Sequence, residues 1–160
     1  MVLLVGGNRA VNVAYKANSG TLKPSCGTVD QLSRAKAAIG VHPVVGLSAS
    51  VGETAYGKES GDHYVGGTPA QYPERYDAVD SAHPISADAP PTLILQGSRD
   101  HLVFADHNEA FADKLTKAGV THRYVELPLL DHAYDSLSAD IGTKATRTLM
   151  PPWLQEYVGG

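Results

Sequence analysis

Cysteine is almost missing from this sequence. The single Cys26 excludes an internal disulfide and a cysteine-based zinc site. Basic residues are also in short supply: 13 Lys and Arg stand against 17 Asp and Glu, for a net charge of −4. A nucleic-acid binder normally carries a basic face that collects phosphates, so that class is excluded. Long hydrophobic runs are lacking too. No stretch approaches the ~18 apolar residues of a membrane span. The first apolar run, Val2 to Val5, is too short for a signal-peptide core and has no Lys or Arg before it. A cytoplasmic location is therefore expected, or an extracellular one if a further N-terminal part carries a secretion signal. There is no internal repeat and no low-complexity tract.

What is present is a chain of 160 residues, the length of one domain, with 42% apolar residues. Ten prolines and sixteen glycines fall mostly between apolar segments and punctuate them. Met1–Val5 followed by Gly6-Gly7 reads as a buried strand, and residues 8–17 as a short helix. Residues 43–48 (PVVGLS) read as a second strand. Residues 52–90 are a long polar stretch, a length that carries function or hides short helices; residues 71–79 fit one, with Pro73 in the first turn.

The third strand, Thr92 to Leu95, follows Pro90-Pro91. A helix is predicted from Asp106 to Ala118, capped by Asp106, with Phe111 and Leu115 on one face and Gly119 after it. A fourth strand spans residues 121–127. A last helix runs from about Asp135 to Leu149, with Leu137, Ile141 and Leu149 inward, until Pro151-Pro152 breaks it. Strands alternating with helices predict an α/β fold: one domain over residues 1–160, a parallel sheet flanked by helices.

Ligands of open parallel sheets sit beyond the carboxyl ends of the strands. Two such ends carry matched chemistry. Gly97-Ser98-Arg99-Asp100 puts an acid just past the third strand, and Leu130-Asp131-His132 puts a histidine just past the fourth. A carboxylate that fixes the tautomer of a histidine is the supporting half of a Ser-His-Asp triad. We therefore expect the Asp100 and His132 side chains within about 2.6–3.2 Å of each other. The other titratable groups have plainer readings. His101, His107, Asp100 and Asp106 match no metal-ligand spacing, and Gly66-Gly67 follows no strand that could present a phosphate loop, so no metal and no cofactor is expected. His42, His63, His83 and His122 read as surface or loop residues, and Cys26 as a loop thiol with a packing role.

From Tyr64 to Tyr134 the chain resembles the C-terminal half of α/β-hydrolases of the acetyl-esterase and feruloyl/acetylxylan-esterase type. The residues that carry the likeness are YVGGTPAQYPERYDAVDSAHPIS (64–86), APPTLILQGSRDHLVF (89–104) and the LLDHAYD segment ending at Asp135. TLKPSCG (21–27) and HPVVGLSAS (42–50) have family look-alikes as well. The resemblance implies a truncated α/β-hydrolase fold, with Asp100 as acid and His132 as base. It implies hydrolysis of short acyl or carbohydrate-linked esters, lipase-like chemistry on a small-molecule substrate.

The family's nucleophile motif, Gly-x-Ser-Ala-Gly-Gly before a helix, is not matched. GGNRAVNVAY (6–15) resembles its glycines and helix, which puts the serine position at Leu4; taking Gly6 as the first glycine puts it at Asn8. Neither side chain is a nucleophile. The nearest substitute is Gly46-Leu47-Ser48-Ala49-Ser50, one substitution from the elbow pattern, with Ser48 the first choice and Ser50 the second. The alternative is an inactive hydrolase half that serves as a structural or pairing module. An apolar Met1–Val5 strand at the sheet edge would further predict a homodimer built through that edge.

Overall fold

A computed structural model of the chain describes residues 3–22, 33–83, 85–136 and 141–159. Its elements, in order, are α1 (Leu3–Ser19), β1 (Ala38–Val41), α2 (Leu47–Ser50), α3 (Ala55–Val65), α4 (Pro73–Val79), β2 (Thr92–Gly97), α5 (Ala105–Lys117), β3 (His122–Leu127) and α6 (Ile141–Val158). Among the described residues the sheet has the order β1-β2-β3, all parallel, with Ala38 opposite Thr92 and Thr92 opposite His122. β2 is central and buried along its whole length.

Helices cover both faces of the sheet, because strand side chains alternate. On one side Ile94 packs with Val11 and Tyr15 of α1 and with Phe111 and Leu115 of α5. On the other, Leu93 and Leu95 pack with Trp153 of α6, with Tyr157 at its rim. The buried stripe of α1 is Asn8, Val11, Tyr15 and Asn18, spaced three and four apart as a helix requires. The Tyr15 hydroxyl bonds the Thr92 hydroxyl at 2.8 Å and ties α1 to the start of β2.

Several expectations need correction. Leu3 onward is helical, so the strand expected at residues 1–5 is not there; Met1 and Val2 lie outside the described residues. The homodimer through that strand edge loses its strand. Gly6 and Gly7 do not interrupt α1. A Cβ on Gly7 would lie 3.0 Å from the Pro43 Cα and 3.1 Å from the Val41 carbonyl oxygen, so glycine lets the helix lie against this turn.

The strand expected at residues 43–48 instead occupies Ala38–Val41. Its last rung is the His42 N–H donating to the Leu95 carbonyl at 2.7 Å. His42 then takes φ 36° and Pro43 has no N–H to donate, which ends pairing before the apolar Val44-Val45. The polar stretch does hide helices, α3 as well as α4; Thr54 caps α3 by accepting the Gly57 N–H at 2.8 Å.

Pro151-Pro152 does not stop α6, which runs on to Val158. Both prolines are exposed, so the carbonyls they leave unpaired face water, while Trp153 beyond them is buried against β2. Ile141 is 70% exposed rather than inward, and Leu137 lies outside the described residues. The same holds for Cys26 and most of the 21–27 loop.

Candidate active site

The site is assembled where β2 and β3 end. After β2 the chain turns through Ser98 and Arg99 to Asp100; after β3 it turns through Leu129 and Leu130 to His132. The two turns are laced together. The Ser98 N–H donates to the Leu127 carbonyl at 3.0 Å, the Arg99 N–H to the Leu130 carbonyl at 2.9 Å, and the Leu129 N–H to the Ser98 hydroxyl at 2.9 Å. Gly97 is needed for this approach, since a Cβ there would collide with the Leu130 carbonyl. Leu129 and Ala133 take positive φ, 66° and 58°, where L-residues are strained.

Within this frame the His132 Nδ1 lies 2.9 Å from one Asp100 carboxylate oxygen and 3.1 Å from the other, inside the expected range. A carboxylate only accepts, so Nδ1 carries the proton and Nε2 is left as the basic nitrogen. The carboxylate also accepts the Leu102 N–H at 3.0 Å, the Val103 N–H at 2.8 Å and the Gln96 amide at 3.2 Å. Burial pushes the Asp100 carboxyl up. The bonds from His132, Val103 and Leu102 outweigh it and hold the group below the usual carboxylate range. His132 Nε2 is enclosed and, among the described residues, has no hydrogen-bond partner.

The neighbourhood contains residues the sequence reading passed over. His42, expected at the surface, is 6% exposed. Its Nε2 is 3.1 Å from the Asp135 carboxylate, and its ring centre is 4.2 Å from that of His132. Gln96 is fully buried and holds the acid loop by donating to the carbonyls of Gly97 at 3.1 Å and Val103 at 2.9 Å. Asn108 of α5 donates to Gln96 Oε1 at 2.7 Å and to the Pro43 carbonyl at 3.1 Å, which links the acid loop to the turn after His42. A glutamine inside the apolar run of β2 was the one available signal, because a buried amide needs partners.

Ser48 and Ser50 do not complete the site. Ser48 is exposed in the short helix α2, seven residues beyond the end of β1. Gly46, at φ 63°, swings the chain into that helix, so Ser48 is not at a strand end and its hydroxyl is not bonded to His132. Ser50 is buried and donates to the Leu47 carbonyl at 3.3 Å. It lines an apolar cavity of about 40 Å³ with Val44, Leu47, Tyr64 and Leu102. Asn8 is structural: its amide donates to the carbonyls of Val44 at 2.8 Å and Val79 at 3.1 Å. The remaining elbow position, Leu4, is in the first turn of α1. One turn on, Gly7 abuts Val41 and Pro43, the residues on either side of His42.

His101 pairs with Asp131, and His107 with Glu53 at 2.7 Å. No group of three or more metal-ligating side chains occurs among the described residues. No helix among them is long and apolar enough to cross a membrane.

A parallel sheet covered on both faces, with acid and histidine on successive strand ends, defines a segment of an α/β-hydrolase fold. The chain belongs to the prolyl oligopeptidase family (Peptidase_S9), whose model matches residues 28–160. Esterase LipQ of Mycobacterium tuberculosis is 29% identical over 158 residues, covering 96% of this chain and 36% of that protein. The probable carboxylic ester hydrolase LipM of the same organism is 42% identical over 66 residues, 39% of this chain and 15% of that protein. Among solved structures, a propionate-bound thermophilic esterase from Thermogutta terrifontis superposes with TM-score 0.70 at 25% identity, over 94% of this chain and 52% of that one. An acetyl ester-xyloside bifunctional hydrolase from Caldicellulosiruptor lactoaceticus shares the fold, with TM-score 0.75 at 24% identity, over 94% of this chain and 53% of that one. The chain thus spans well under half of its curated relatives and about half of these solved structures.

Proposed function

We propose that this chain supplies the acid–base half of a carboxylic ester hydrolase site. His132 removes the proton from a nucleophilic serine hydroxyl through Nε2 and later returns it to the leaving alcohol. Asp100 holds the tautomer and stabilises the imidazolium formed in between. The observation that carries this reading is the buried Asp100–His132 bond at 2.9 Å, with the other ring nitrogen enclosed and unpartnered. The relatives named as esterases support ester chemistry. Neither Ser48 nor Ser50 fits the role of nucleophile. Leu4 occupies the position that the Gly6-Gly7 register assigns to it.

A gain of function tests this. Leu4→Ser should make the chain react with a fluorophosphonate, read as a covalent adduct by intact mass, and the adduct should vanish when His132→Ala is added. Ser48→Ala should leave the reaction unchanged. Labelling of a folded Leu4→Ser protein that does not depend on His132, or no labelling at all, would overturn the assignment.

A second reading is supported by His132 Nε2, which meets no hydroxyl among the described residues: by itself the chain is an inactive hydrolase half. It predicts that the unmodified chain hydrolyses p-nitrophenyl acetate no faster than buffer does.

A further inference from the structure

The Asp100–His132 pair has a neighbour of the same build. His42 Nε2 bonds the Asp135 carboxylate at 3.1 Å, and the His42 and His132 rings lie 4.2 Å apart, inclined at 56°. Both rings are buried. His42 Nδ1, like His132 Nε2, is enclosed without a hydrogen-bond partner among the described residues. A ring that merely filled space would need neither a carboxylate of its own nor the left-handed backbone of His42, φ 36°. We propose that His42 and Asp135 form a second histidine–carboxylate pair that positions His132 and competes with it for one proton, so that His132 accepts the nucleophile's proton only while His42 is neutral. This inference rests on the reading of His132 as the base.

The physics is that of two titratable groups in contact. A proton on either ring repels a proton on the other across 4.2 Å of protein interior, so the cluster holds one proton far more readily than two. The charged and titratable groups that face His42 are Asp135, Asp100 and His132, with Tyr134 edge-on at 5.7 Å. The contacts of the other elements with this turn are uncharged among the described residues: Gly7 of α1 abuts it, Leu95 of β2 offers a carbonyl, and Asn108 of α5 bonds Pro43.

Burial pushes the His42 imidazole below its ordinary value. The Asp135 hydrogen bond opposes this, the His132 charge adds to it, and the charges of Asp135 and Asp100 oppose it. At neutral pH His42 is therefore uncharged and the base is open. On acidification a proton on His42 closes it. During turnover the serine proton moves to His132 Nε2 and on to the alcohol, and His42 binds none.

The test is an NMR titration of the His42 ring in 15N-histidine-labelled protein. Wild type is compared with His132→Phe, which keeps a ring in the stack without its charge, and with Asp135→Asn. We expect the His42 midpoint to rise in His132→Phe and to fall in Asp135→Asn. His132→Gln is the second neutral variant should the Phe protein fail to fold, and it should raise the midpoint likewise. A His42 midpoint that stays at its wild-type pH in a folded neutral variant overturns the proposal. No ester enters this measurement. Failure of the Leu4→Ser labelling together with a shifting His42 midpoint would thus refute the hydrolase reading and leave the coupling standing.

Discussion

Asp100 keeps its charge in the interior because every lone pair that faces the protein is answered. Asp100→Asn removes the charge and turns three of those contacts, from the Leu102 N–H, the Val103 N–H and the His132 Nδ1–H, toward a weaker acceptor or a competing donor. We expect a loss of about 2 kcal/mol in urea denaturation at neutral pH. The folded-state value of Asp100 is depressed, so its contribution is complete above the unfolded value of about 3.9 and disappears as pH falls through the folded one. The wild-type advantage over Asp100→Asn should therefore shrink below about pH 4.

His42 has the same sign by a different route. Its folded value lies below 6.5, so the unfolded chain binds the proton first, and stability falls as pH drops from 6.5 toward the folded value. Urea midpoints measured across that range should decline less steeply for His42→Phe than for wild type. Asp100 and His132 were legible in the sequence because each follows its strand by a few residues, in the acid-then-histidine order of the α/β-hydrolase fold. His42 was not. Its burial comes from Asp135, 93 positions away, and from a ring stack that no local pattern encodes.

At the scale of elements, the site depends on two strand-end turns meeting, and Gly97 sets how closely they meet. Gly97→Ala would force the Leu130 carbonyl away and carry His132 with it. We expect about 2 kcal/mol of destabilisation, and weakening of the His132 Nδ1–H signal by NMR, because overpacking at a rigid contact has no cheap relief. Trp153 anchors the far side of the sheet. Trp153→Ala should cost about 3 kcal/mol, read from the urea midpoint by circular dichroism.

The same elements show where pattern reading succeeds. β2, β3, α4 and α5 carry their own signals: a bounded β-branched or apolar run, a proline in the first turn, or a helical stripe closed by Gly119. The ends of the chain do not. Leu3-Leu4-Val5 is compatible with strand or helix, and packing of Gly7 on the His42 turn belongs to the helix. Pro151-Pro152 marks a stop by local rules, and burial of Trp153 with Tyr157 at a ring separation of 4.6 Å overrides them.

For the whole molecule, the sheet, the two turns and the family match agree on a hydrolase segment, and about half of each neighbouring structure lies outside what this chain covers. The general fold class and the acid–histidine order were readable because they are repeated along the chain as strand, turn and helix. The number of strands was not, since α1 begins where a strand was expected. The place of Ser48 was not readable either, because Gly46 at φ 63° starts the short helix α2 where a strand end was expected.

The role of His132 as base requires it to present a bare Nε2 while Asp100 holds its Nδ1–H. Nitrogen-15 NMR of the imidazoles at about pH 8, where histidines are neutral, reads that directly. The account predicts a His132 ring protonated at Nδ1 and bare at Nε2, with the Nδ1–H signal shifted downfield by the Asp100 bond and lost in Asp100→Asn. A His132 ring protonated at Nε2, with Nδ1 bare, would contradict it.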